Sequence, residues 1–240
     1  MQKKICGAIA WLEFSLLQPF PEVKHAVFLR GQDFDLGDRG KVADQLRALR
    51  VLGVKQGVKI VPQAHGDRVF VVDKPKELLA AKKDGDALIT RCRGVGLVVR
   101  HADCQGAIFY DPRQRALAVV HCGWRGSVKN IYQNTLVTME QEFGTKARDV
   151  RVCVGPSLGP KRAEFKHYRK ELPRSFWRCQ IAPGYFDFWQ ISQSQLEAAG
   201  VLTHHIEMAK ICTYSSPQEC FSYRRDPQHP GRHATMAALE

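Results

Sequence analysis

The chain has 240 residues, 44% of them hydrophobic and 25% charged, which supplies a core and argues against disorder. No apolar run approaches the ~18 residues of a membrane span, and a formal net charge of +12 favours anionic partners. The eight cysteines, at 6, 92, 104, 122, 153, 179, 212 and 220, form no C-x-x-C pair. They read as reduced thiols of a cytoplasmic protein, not as a disulfide framework.

At the N-terminus, Lys3 and Lys4 precede the apolar "ICGAIAWL", which Glu13 interrupts. An early strand is expected there in preference to a signal peptide. "VKIVPQAHGDRVFVVD" predicts strand, loop and strand, with Pro62 to Gly66 as the interruption. "VGLVVR", residues 95–100, predicts a buried strand. "GAIFYD" and "ALAVVHCG", joined by "DPRQR", predict an antiparallel hairpin opened at Asp111-Pro112. Val128, Ile131, Tyr132, Leu136 and Met139 recur at helical spacing, with Ser127 as the expected N-cap. "VRVCVG" reads as a strand, and "ISQSQLEAAGV" as a second amphipathic helix ending at Gly200. No repeat or linker divides the chain, so residues 1–240 are expected to be one domain.

A hairpin centred near Arg113 brings residues whose numbers sum to about 225 or 226 face to face, which pairs Cys104 with His121. His65, in the "QAHG" loop, offers a third donor. Cys, His and His suit zinc with one position open to water or substrate. The spacing matches no compact zinc motif, so a loop histidine and a buried thiol remain the alternative. Asp103 precedes Cys104, within reach for acid–base work. Beyond His121, Arg125 and the helix start offer an anion site. Gly123 and Gly126 allow close backbone approach, and Trp124 offers a ring for stacking or for the core. In "KRAEFKHYRKELPRSFWRC", residues 161–179, basic and aromatic residues alternate, a pattern that suits phosphate contact with base stacking. No nucleic-acid module accompanies it.

"HADCQGAIFYDPRQRALAVVHCGWRG" resembles the YfiH-like, laccase-domain family (polyphenol oxidases, multicopper oxidase type 4), now described as purine nucleoside-processing enzymes. "QAHG", "GDALIT", "VGPSLGP", "ICTY", "FSYRRD" and "GRHATMAAL" are similar to further family elements in the same order. The resemblance implies an α+β fold, a mixed β-sheet sandwich flanked by helices and like that of certain cysteine hydrolases. It implies zinc, with Cu2+ the alternative, on His65, Cys104 and His121. It also implies phosphorolysis of adenosine, inosine and methylthioadenosine, together with adenosine deamination. Departures from the family pattern are His101 for Thr, Cys122 for Ala, Asp35 for Asn, and an N-terminal loop that retains Arg30 but lacks its hydroxyls.

On this reading Asp103, Cys104 and His121 are the catalytic residues, with Asp103 moving the proton. Gln63 and Trp124 orient substrate, and Arg125 with Arg30 holds phosphate. The expected partners are purine nucleosides and phosphate, with no nucleic acid and no membrane, for a monomer. Three alternatives compete: a Cys104–His121 amide hydrolase acting on a cell-wall precursor, a copper-dependent polyphenol oxidase, and a nucleic-acid binder built on residues 161–179. The nine histidines contain no His-x-His pair, which disfavours a multicopper cluster.

Overall fold

A computed structural model describes residues 1–31, 33–34, 53–54, 58–73 and 84–240; Asp35 lies outside the described residues. Two six-stranded sheets pack face to face. The first runs in the order β1 (Gln2–Cys6), β2 (Ile9–Glu13), β3 (Val23–Phe28), β14 (His233–Leu239), β7 (Gly96–His101) and β4 (Val58–Lys59). The second runs in the order β13 (Ile206–Met208), β10 (Arg151–Val154), β8 (Gln105–Asp111), β9 (Ala116–Cys122), β6 (Ala87–Thr90) and β5 (Val69–Val72). A short ribbon of β11 (Gln180–Ala182) and β12 (Tyr185–Phe186) lies apart from both. Both sheets are mixed. The β4–β7, β5–β6 and β10–β13 pairs are parallel, and the other pairs within the two sheets are antiparallel.

The early apolar stretch holds two strands, β1 and β2, because Gly7 at φ +59° turns the chain back on itself. Val27, Leu97, Val99 and Ala237 meet Leu88, Ile108, Leu117 and Val119 between the sheets. Alternate residues of the second sheet, among them Ala107, Phe109, Ala118 and Val120, face the helices instead. Burial on both faces explains why β8 and β9 read as unbroken apolar runs.

Four helices follow β9: α1 (Trp124–Val128), α2 (Ile131–Phe143), α3 (Tyr168–Glu171) and α4 (Phe188–Ala198). Ser127 is not the N-cap of the long helix. It lies inside α1, buried, and donates to Gln195 Oε1 at 3.2 Å. The cap of α2 is Asn130, because the buried stripe begins at Ile131 and Val128 is 37% exposed. Asp187 starts α4 three residues before the expected helix by accepting from the Trp189 and Gln190 N–H groups, and Gly200 at φ +96° follows its end. The result is the expected α+β sandwich, with α2 and α4 covering the second sheet. All eight cysteines are unpaired. Among the described residues no helix is long and apolar enough to cross a membrane.

Candidate active site and metal centre

The hairpin forms with a different register. Gln105 pairs with Cys122, Gly106 with His121, and Asp111 with Ala116, a constant sum of 227. Asp111 is therefore still in the ladder, and its carboxylate accepts from the Arg113 and Gln114 N–H groups to shape the turn. Extending the ladder by one step puts Cys104 opposite Gly123, so Cys104 and His121 are diagonal neighbours on one face, not direct partners. The convergence survives this correction. Donor atoms of His65, Cys104 and His121 all lie within 4.8 Å of one another. Among the described residues this is the single cluster of three or more such side chains.

Asp86, which the sequence reading did not single out, organises that cluster. It is 1% exposed, and its Oδ1 accepts from His121 Nδ1 at 2.8 Å and from the His65 N–H at 3.0 Å. Its Oδ2 accepts from the Ala64 and Gly66 N–H groups at 3.3 and 2.7 Å. One carboxylate thus fixes the loop that carries His65, holds that residue's left-handed backbone (φ +56°), and leaves His121 Nε2 free for the cluster. Burial pushes the Asp86 pKa up, but His121 and these backbone donors outweigh it, and the net direction is down. Burial likewise pushes the Cys104 thiol up, yet the His121 and His65 imidazoles bring it well below its ordinary value. Burial disfavours charge on His121, but the Cys104 sulfur and Asp86 raise it. Together these shifts favour a thiolate on Cys104 beside a protonated His121.

The residues fit a metal ion. A soft sulfur and two imidazoles are the donor types that zinc and copper take, and Asp86 supplies the supporting carboxylate. Gly123 adds a geometric test. A Cβ there would stand 2.9 Å from the His65 ring and 3.0 Å from Cys104 Sγ, so a side chain would fill the cradle.

The cluster opens onto a cavity of about 680 Å³. Arg100, Arg125, Arg224 and Arg232 line it, as do Trp124, Phe165, Phe188 and Tyr223; among the described residues its one acidic lining residue is Asp103. Asp103, at φ +78°, accepts from Thr213 Oγ1 at 2.6 Å and from the Arg224 N–H at 2.7 Å, and its carbonyl takes the Leu158 N–H. It therefore ties three loops together as well as facing the cavity. Gln63 lines the cavity too, but both ends of its amide are engaged by the Arg100 backbone, at 2.7 and 2.8 Å. Trp124 stands edge-on to Phe165, and Arg125 lies 4.3 Å over the Trp124 ring.

Arg30 departs from expectation. It is exposed and not on the cavity wall; its guanidinium donates to the Pro217 carbonyl and lies over Phe221. The helix start beyond His121 also weakens as an anion site, because α1 is a five-residue segment capped by Gly123 with no side-chain bond. The stretch 161–179, the basis of the nucleic-acid alternative, presents no fully exposed Phe, Tyr or Trp ring for base stacking. Phe165 and Phe176 are buried, and Tyr168 and Trp177 pack against the same cluster. Tyr223, Arg224 and Arg232 were missed as site residues, although "FSYRRD" and "GRHATMAAL" contain them. They reach the cavity from far along the chain, a proximity no local spacing reveals.

Known proteins resemble this chain in sequence and in fold. A purine nucleoside phosphorylase of Bacteroides thetaiotaomicron is 39% identical over 149 residues, 58% of this chain and 55% of that protein. One from Clostridium acetobutylicum is 32% identical over 197 residues, 79% of this chain and 80% of that protein. The crystal structure of YlmD from Geobacillus stearothermophilus superposes with a TM-score of 0.85 at 23% identity, covering 99% of this chain and 98% of that one. YfiH from Bacillus licheniformis also gives 0.85, at 19% identity and with 98% and 97% coverage. At these identities the two structures speak to the fold. The family described as multi-copper polyphenol oxidoreductase laccase matches residues 33–240, most of the length, and the chain belongs to that family.

Proposed function

We propose that residues 1–240 form one domain acting as a zinc-dependent purine nucleoside phosphorylase on adenosine, inosine and methylthioadenosine, with adenosine deaminase activity. The carrying observation is that three metal-type donors meet on the wall of a cavity also lined by four arginines and four aromatic rings. The relatives named as purine nucleoside phosphorylases support the reaction class.

His65, Cys104 and His121 would hold the ion, which supplies Lewis-acid polarisation and a bound water of lowered pKa. Arg125, with Arg224 and Arg232 in the place expected of Arg30, pairs with phosphate through its guanidinium donors. Trp124 and Tyr223 offer faces to the purine. Asp103, locked by Thr213 and Arg224, receives or returns the proton from a fixed position. Gln63 orients substrate through the Arg100 backbone it braces, since its own amide is engaged.

The test is chromatography of inosine and adenosine incubated with metal-assayed protein, with and without phosphate, beside Cys104→Ala. Free base that requires phosphate and disappears in the variant is expected, with inosine forming from adenosine in either buffer. Copper in place of zinc in the metal assay would redirect the reading to polyphenol oxidation. A second reading rests on the thiolate–imidazole pairing of Cys104 and His121, which is also the arrangement of a Cys–His amide hydrolase. Turnover of a peptide amide that persists after metal removal, with no nucleoside turnover, would establish it instead.

A further inference from the structure

The basic side chains of residues 161–179 are used neither by the cavity nor by the core. Their aromatic and aliphatic side chains turn inward, onto a cluster that includes Ala163, Phe165, Leu172 and Phe176. Every exposed residue between 161 and 179 is a lysine, an arginine, His167 or Ser175. The seven cations are Lys161, Arg162, Lys166, Arg169, Lys170, Arg174 and Arg178, and none forms an ion pair among the described residues. Some cations elsewhere do pair, among them Lys24 with Glu240, Arg113 with Asp149, Lys129 with Asp67 and Lys146 with Glu140. Three guanidiniums of the segment are also steadied over rings, Arg162 on Tyr214 at 4.5 Å, Arg169 on Tyr168 at 5.9 Å and Arg174 on Trp177 at 6.0 Å.

We propose that this surface binds the phosphate backbone of a nucleic-acid duplex without reading its bases. Seven unpaired cations exceed what one phosphate engages, so the ligand is a polyanion. A protein partner would need an apolar core with aromatic anchors, and stable anchoring on a membrane surface would need exposed apolar side chains or a lipid chain besides the basic ones. The outward side of the segment has neither. Single strands are held largely by base stacking on exposed rings, whereas Phe165 and Phe176 are buried here and the half-buried Tyr168 and Trp177 are covered by Arg169 and Arg174. What is left is charge presented on a firm base, which is how sequence-independent phosphate contact works. This binding goes beyond the reaction proposed for the cavity and does not depend on it.

The test is fluorescence anisotropy of a mixed-sequence DNA duplex, titrated with the full chain at 50 to 200 mM KCl. The variant carries Lys166→Gln, Arg169→Gln, Lys170→Gln and Arg174→Gln. A control with the same loss of charge carries Lys24→Gln, Arg113→Gln, Lys129→Gln and Lys146→Gln. Circular dichroism establishes that both are folded. Wild type and control should bind with a steep salt dependence, and the variant's log–log slope should fall by about 3 to 4, at roughly 0.9 per phosphate contact. No duplex binding at 50 mM KCl, or equal losses in variant and control, would overturn the proposal. Patch-dependent binding to phosphatidylserine vesicles in place of the duplex would overturn it too.

Discussion

Asp86 carries more of the site than its size suggests, because four donors converge on its two oxygens. Replacing it with asparagine keeps the shape but removes the charge and turns one acceptor into a donor facing donors. Asp86→Asn should therefore lose about 10- to 100-fold in metal affinity, read by competition with a chromophoric chelator at pH 7. Unchanged affinity would show that the carboxylate serves the loop alone. The sequence displayed the candidate ligands, since His65, Cys104 and His121 are of recognisable type, but it hid their organiser. Asp86 stands at the head of "ALIT" and looks like an ordinary strand-edge acid; only the fold brings the 64–66 backbone over it.

At the scale of elements, the residue next to Cys104 fastens the helices to the sheet. Gln105 Oε1 accepts from Tyr132 of α2 and from Ser192 of α4, each at 2.7 Å, and its amide donates to the Phe188 carbonyl. Tyr132→Phe should cost about 1 kcal/mol of unfolding free energy and leave metal affinity unchanged, measured by urea titration and the same chelator assay. A loss of metal would mean that the helix layer holds the Cys104 turn in place. Legibility was uneven here. Strands buried on both faces announced themselves as continuous apolar runs, and α2 through its spacing. The hairpin register did not, because Asp111 serves at once as the last rung and as the acceptor that shapes the turn. An Asp-Pro pair in sequence marks where a turn is, not which residue pairs last.

For the whole molecule, acid should act through the first sheet. His25, His101 and His233 are buried on β3, β7 and β14, and His233 is the register partner of His101. Burial lowers all three, His233 to about 4 from 6.5. Between those values the unfolded chain binds the proton and the folded chain does not, so stability rises with pH across that window. It is fully present above about 6.5 and falls as pH drops toward 4, by about 3 kcal/mol from His233. Urea midpoints at pH 7.0, 5.5 and 4.5 should decline in that order, and His233→Gln should flatten the decline. A midpoint that holds steady from pH 7.0 to 4.5 would mean these imidazoles are hydrated or charged in the folded protein.

His65 lies on the connection that leaves the first sheet at β4 and enters the second at β5, and Cys104 on the one from β7 to β8, whereas His121 belongs to β9 of the second sheet alone. The donor triangle is therefore complete only while the sandwich is closed. An occupant of that triangle acts as a rivet across the seam between the layers. Its grip is a gauge of how firmly the two halves are shut.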